Sequence, residues 1–182
     1  MKNKVEFLFV CIFLICTGAN AQDKSGDSHT VSITIPEVAI LDIESAGSKD
    51  IALSFTAPKE AGLGVTGSSN SSLWLNYSSI KSASNTTRTV SASVNNTIAG
   101  ADIIISAASS SGGGAGTIGE PSGDVTLTTS EQVIVNNIGS CYTGSGVNNG
   151  HNLTYTLKVN GSYEELEASS QTPLTVTYTF SN

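Results

Sequence analysis

The sequence predicts an all-β fold: an antiparallel two-sheet β-sandwich, immunoglobulin-like or pilin-like, of about eight to ten strands. Three observations predict it. Apolar residues alternate with hydroxyl-bearing ones over short runs, which is the period of a half-buried strand. Clusters of Gly, Asn and Ser separate those runs, as turns between strands do. No stretch combines the i, i+3, i+4, i+7 apolar spacing of an amphipathic helix with caps.

The elements follow in order. Met1 to Lys4 carries two lysines, residues 5–16 are apolar except for Glu6, and Ala19-Asn20-Ala21 has the small-x-small pattern of a cleavage site. Residues 1–21 therefore read as a secretory signal peptide. Their apolar run is too short for a bilayer span, which takes roughly 20 residues. Residues 22–29 read as a polar leader, and 30–182 as a single β-sandwich domain. Its first strand begins with Val31, Ile33 and Ile35, alternating with Thr30, Ser32 and Thr34. Pro36 interrupts it, and the apolar parity shifts to Val38 and Ile40, with Leu41 and Ile43 beyond. A strand broken by Pro, which cannot donate to a ladder, is expected to cross between sheets there.

Further alternations begin at Ile51-Leu53-Phe55, Leu73-Leu75-Tyr77 and Val90-Ala92-Val94. Ile103 to Ile105 is a continuous apolar run, as in a central strand. Val125 and Leu127, then Val133 and Val135, follow turn-rich gaps. Leu153-Tyr155-Leu157-Val159 and Leu174-Val176-Tyr178-Phe180 close the series, with Thr and Lys on their opposite faces. That is the pattern of sheets with one wet face. Residues 163–168 read as a turn, and long loops are expected at about 58–72, 106–124 and 139–151.

Composition narrows the function. Ser, Thr, Asn and Gly make up 80 of 182 residues, and only 13% are charged. The net charge is −7, so scattered lysines leave no electrostatic footprint for nucleic acid or an anionic membrane. Removal of residues 1–21 also removes Cys11 and Cys16. Cys141 then has no intrachain partner and is either a buried small hydrophobe or a thiol for pairing between chains.

Chemical motifs are sparse. Gly114-Ala115-Gly116-Thr117-Ile118-Gly119 matches the dinucleotide fingerprint, but Glu120-Pro121-Ser122-Gly123 follows where a helix is needed. Two histidines, His29 and His151, supply no zinc spacing, and no EF-hand loop occurs. No nucleophile stands in a triad pattern, so the sequence argues against an enzyme and implies no catalytic residue, cofactor or metal. The stretch Asn137 to His151 is the most distinctive: a glycine-rich loop at a sandwich end, carrying Cys141, Tyr142 and His151 as ligand-contact candidates. Trp74, the sole tryptophan, lies on the face opposite Leu73 and Leu75 and is a fourth candidate, for stacking on a sugar.

The signal peptide, the Thr/Ser/Gly-rich strands, the Gly-rich loops and the final Leu174 to Phe180 strand together resemble secreted bacterial pilin-like and spore-coat-U (Csu-type) subunits. The chain lacks the early cysteine pair that many such subunits carry. The resemblance implies an Ig-like sandwich that assembles or adheres at a cell surface. The expectation is an exported protein (extracellular, cell-surface or periplasmic) of structural or adhesive function, including a fimbria-like filament subunit. Its partners would be other subunits, including copies of itself, or surface glycans, with no nucleic acid and no membrane insertion of the processed chain. In the sharpest form of this reading, Val31, Ile33 and Ile35 are an assembly strand that fills pockets at a neighbour's sheet edge. The alternative is a monomeric extracellular carbohydrate-binding module.

Overall fold

The computed structural model describes residues 25–169 and 172–181. The expected signal peptide and its cleavage point lie outside the described residues. The chain divides into two compact units, Met1–Thr34 and Ile35–Asn182. The second begins five residues after the domain start expected at 30.

Of the first unit, residues 25–34 are described, and they form no strand. Val31 is 69% and Ile33 81% exposed, and Ile35 at the head of the second unit is 73% exposed. The strand expected over 30–35 is thus not made among the described residues. Alternation marks a face, but a strand also needs an adjoining edge for its N–H and C=O groups.

The second unit is all-β, and every strand pair is antiparallel. Thirteen strands are present among the described residues: β1 (Val38–Ser45), β2 (Phe55–Thr56), β3 (Thr66–Gly67), β4 (Ser69–Ile80), β5 (Arg88–Val94), β6 (Ala101–Ala107), β7 (Ala115–Gly116), β8 (Glu120–Pro121), β9 (Val125–Thr126), β10 (Gln132–Ile138), β11 (Cys141–Tyr142), β12 (His151–Val159) and β13 (Val176–Ser181). The excess over the expected eight to ten comes from two-residue pieces, several inside segments expected to be loops. One 3-10 turn, Tyr163–Glu165, falls where a turn was expected. No helix among the described residues is long and apolar enough to cross a membrane.

The larger sheet is built around β4. One edge of β4 pairs with β1, from Val38↔Ile80 to Ser45↔Leu73. The other edge pairs with β11 and then β12. Beyond β12 lie β6 and β9, and beyond β11 lies β7. The second sheet runs β13-β5-β10-β8, and β2 pairs with β3 separately. The two inner faces meet in a core that includes Leu75, Tyr77 and Leu153 from the larger sheet and Val90, Ala92 and Val135 from the smaller. Burying a Val- or Leu-sized side chain contributes about 1.5–3 kcal/mol, so this inner face holds the sandwich together.

Two parities differ from expectation. In β1 the core-packed residues are Leu41 and Ile43, while Ile40 is 64% exposed. The inner face of β1 is therefore the odd-numbered one, not the even-numbered one of Val38 and Ile40. In β10, Val133 is 41% exposed whereas Ile134 and Val135 are fully buried. A register irregularity between Val133 and Val135 against β5 inserts an extra residue and turns the face over.

The passage between sheets expected at Pro36 occurs elsewhere. The chain through β7 and β8 pairs with the chain through β10 and β11 along one ribbon that belongs to both sheets. Glu120↔Asn136 and Pro121↔Val135 lie in the smaller sheet, and Gly116↔Cys141 and Ala115↔Tyr142 in the larger. At the bend, Thr117 N donates to Ser140 O (3.3 Å) and Gly139 N to Thr117 O (2.9 Å). Gly116 (φ 90°) and Gly119 (φ 95°) take conformations open to glycine, and a Cβ on either would lie 2.3 Å from Ser140 O or 2.6 Å from Asn136 O. These glycines of the fingerprint-like hexapeptide fold a ribbon between two sheets.

Candidate functional site

The distinctive 137–151 stretch is an interrupted strand. Cys141↔Ser79 and Tyr142↔Ser78 continue into Thr143, whose N donates to Tyr77 O (3.1 Å). The chain then loops out over 144–150 and resumes against the same edge of β4 at His151↔Leu75. The loop therefore rises from within the larger sheet and does not cap a sandwich end. Asn149 fixes it: its Oδ1 accepts from Gly113 N (3.1 Å), its Nδ2 donates to Ser145 O (2.9 Å), and its carbonyl accepts from Asn76 Nδ2 (2.6 Å).

His151 resumes the strand on the inner face and is fully buried. Its Nδ1 lies 2.8 Å from Ala108 O and its Nε2 2.8 Å from the Tyr77 hydroxyl, which also bonds Ile118 O. The imidazole stacks on the Tyr77 ring at 5.6 Å between centroids and 20° between planes. Burial holds its pKa below the ordinary histidine value, against the smaller opposing effect of the Ala108 bond. The imidazole is then neutral, with Nδ1–H donating to Ala108 O, and the single proton of the Tyr77 hydroxyl is shared between Ile118 O and Nε2. Burial pushes the Tyr77 hydroxyl up, with a smaller contribution from Cys141 charge. Cys141 is buried and its thiol is likewise pushed up, so it is held protonated. With Nε2 taken by Tyr77, this arrangement offers Cys141 no base.

Of the four ligand-contact candidates, Cys141 and His151 thus face the interior, while Tyr142 and Trp74 face outward. Tyr142 stands opposite Ser78 and is 52% exposed. Trp74 lies on the outer face of β4, partly exposed. It is flanked in register by Glu44 on β1 and Asn152 on β12. Asn152 Nδ2 donates to Ser71 O (2.9 Å) and Leu73 O (3.1 Å). Asp42, two residues from Glu44, pairs with Lys49 at 2.9 Å, which holds its carboxyl below the usual carboxylate range.

Sequence reasoning passed over Arg88, the sole arginine. Its side chain is fully buried, pairs with Glu37, and lies 5.8 Å over the Phe180 ring. Phe180 in turn packs on Tyr77 at 5.4 Å. No local pattern marks it, since an arginine at the head of an alternating strand is mostly found exposed.

One small cavity, about 20 Å³, lies among Val94, Ile98, Leu127 and Leu174, with room for about one water. Among the described residues no group of three or more His, Cys, Asp or Glu is placed to hold a metal ion. No family model, curated protein or solved structure matches this chain.

Proposed function

We propose that this chain is an exported cell-surface structural or adhesive protein of the immunoglobulin-like or pilin-like kind, and a subunit of a fimbria-like assembly. One observation carries the reading: Val31, Ile33 and Ile35 alternate along a segment that pairs with no strand among the described residues, and each is more than two-thirds exposed. Three such side chains in water are unfavourable for a monomer, since burying each contributes about 1.5–3 kcal/mol. In a neighbouring copy they would add as a strand, the main chain supplying affinity and the alternate side chains register. The sandwich has edges open to such an addition. Among the described residues, β13 is paired with β5 alone and carries neither charge nor proline, the usual protections of a free edge.

Size-exclusion chromatography and negative-stain imaging of the chain with and without residues 22–36 test the reading. Assembly that depends on the segment is expected. A monodisperse monomer indifferent to the deletion would overturn it.

A further inference from the structure

The outer face of the larger sheet carries a second feature, independent of the N-terminal segment. Trp74 is centred in a cross-strand row, Glu44–Trp74–Asn152, on three adjacent strands. Side chains directly opposite in an antiparallel pair have Cβ atoms about 4.5–5.5 Å apart, so all three meet over one patch. The neighbouring positions on the same face are Asp42, Ser72 and Thr154, with Asn76 buried beneath Asn149 of the 144–150 loop, and all are polar. A tryptophan serving as a packing residue would have apolar neighbours. This one lies among carboxylates, amides and hydroxyls, and neither of the ring–ring contacts among the described residues involves it.

We propose that the Glu44–Trp74–Asn152 row binds a neutral saccharide. A sugar ring has an apolar C–H face and a rim of hydroxyls, and the row matches both. The indole is a flat apolar platform of the kind aromatic side chains offer. On one side the Glu44 carboxylate accepts hydrogen bonds from sugar hydroxyls, and charge-assisted bonds of that kind are the strong ones. On the other, Asn152 has its amide nitrogen anchored on two β4 carbonyls, which leaves its Oδ1 as the acceptor. That anchoring also fixes the side chain in advance, so less rotamer freedom is lost on binding. Charge selects the ligand class: Asp42 and Glu44 stand on the same strand, with Lys49 balancing Asp42, and they disfavour uronic or sulfated sugars.

The single tryptophan makes the test direct, because its emission reports this site alone. The purified chain is titrated with cello-, xylo-, manno- and β-1,3-gluco-oligosaccharides, with polygalacturonate as the acidic comparison, by emission and by calorimetry. At least one neutral probe is expected to shift the emission saturably, and polygalacturonate to leave it unchanged. Trp74→Ala abolishes the calorimetric binding, Trp74→Phe restores part of it, and Glu44→Gln weakens it about tenfold. Thermal unfolding establishes that each variant is folded; if Trp74→Ala is not, Trp74→Phe and Glu44→Gln decide. The proposal is overturned if no neutral probe produces an emission change or heat, if binding survives a folded Trp74→Ala, if Glu44→Gln binds as wild type, or if polygalacturonate binds equally well. Deletion of residues 22–36 leaves saccharide binding intact, so this proposal and the assembly reading fail separately.

Discussion

His151 is held in one protonation state by where its backbone places it. The strand resumes with this residue on the inner face, where Ala108 O and the Tyr77 hydroxyl take its two ring nitrogens. Burial lowers its pKa, while in the unfolded chain it titrates near the ordinary 6.5. The sign follows from linkage: as pH falls through 6.5 the unfolded state takes up a proton that the folded state refuses. The contribution is therefore fully present above 6.5 and is lost below it. Thermal midpoints measured across pH 4.5–8 should fall more steeply on the acid side in wild type than in His151→Gln, which has no titrating ring. Arg88 poses the complementary problem, a charge that cannot be shed. Glu37→Gln weakens the compensation of a buried guanidinium, and as the Glu37 side chain is 43% exposed the expected loss is about 1–2 kcal/mol in denaturant unfolding. Adding Arg88→Met to Glu37→Gln should recover much of that loss, because the buried charge leaves with its partner. His151 and Arg88 were legible in the sequence as residue types but not as interior groups. Their burial depends on a strand interruption and a cross-sheet partner that no local period encodes.

At the scale of elements, periodicity located the long strands and missed several short ones, β3, β7, β8 and β11. Leu73-Leu75-Tyr77, Val90-Ala92-Val94 and Leu153-Tyr155-Leu157 stand on the inner face with the parity their alternation indicates. Of the ribbon through β7, β8, β10 and β11, the sequence reads β10 as a strand but places β7, β8 and β11 inside long loops, because the glycines there suppress any alternating pattern. Those glycines make the ribbon able to serve both sheets. Gly116→Ala places a Cβ 2.3 Å from Ser140 O in a positive-φ conformation and should cost about 3 kcal/mol in denaturant unfolding. Gly113→Ala, three residues earlier, meets nothing within 4 Å and has no positive φ, so it should be neutral or stabilise by up to about 1 kcal/mol. Equal costs at the two positions would mean that the ribbon does not bend as described. Trp74 belongs to this scale too. The sequence put it on the outward face, but only the registers of β1 and β12 identify Glu44 and Asn152 as its neighbours.

For the whole molecule, the paired strands and the segment proposed for assembly lie in different parts of the chain. Every strand and every pairing among the described residues falls within Ile35–Asn182, the second compact unit. The exposed alternation at Val31 and Ile33 falls in the first. A chain lacking residues 22–36 keeps Glu37 and hence the ion pair with Arg88. Loss of exposed segments typically changes stability by less than about 0.5 kcal/mol, so its thermal midpoint should stay within about 2 °C of the full chain at protein concentrations where both are monomeric. Extending the deletion by one residue removes Glu37, and the midpoint should then drop as it does for Glu37→Gln. Calorimetry of the two truncations beside the full chain, each at low and high concentration, separates the contributions. The full chain alone should gain stability with concentration, because association shifts unfolding by mass action. A midpoint that falls sharply with the shorter deletion at low concentration would place residues 22–36 within the folded unit and remove them as a segment available to a neighbour.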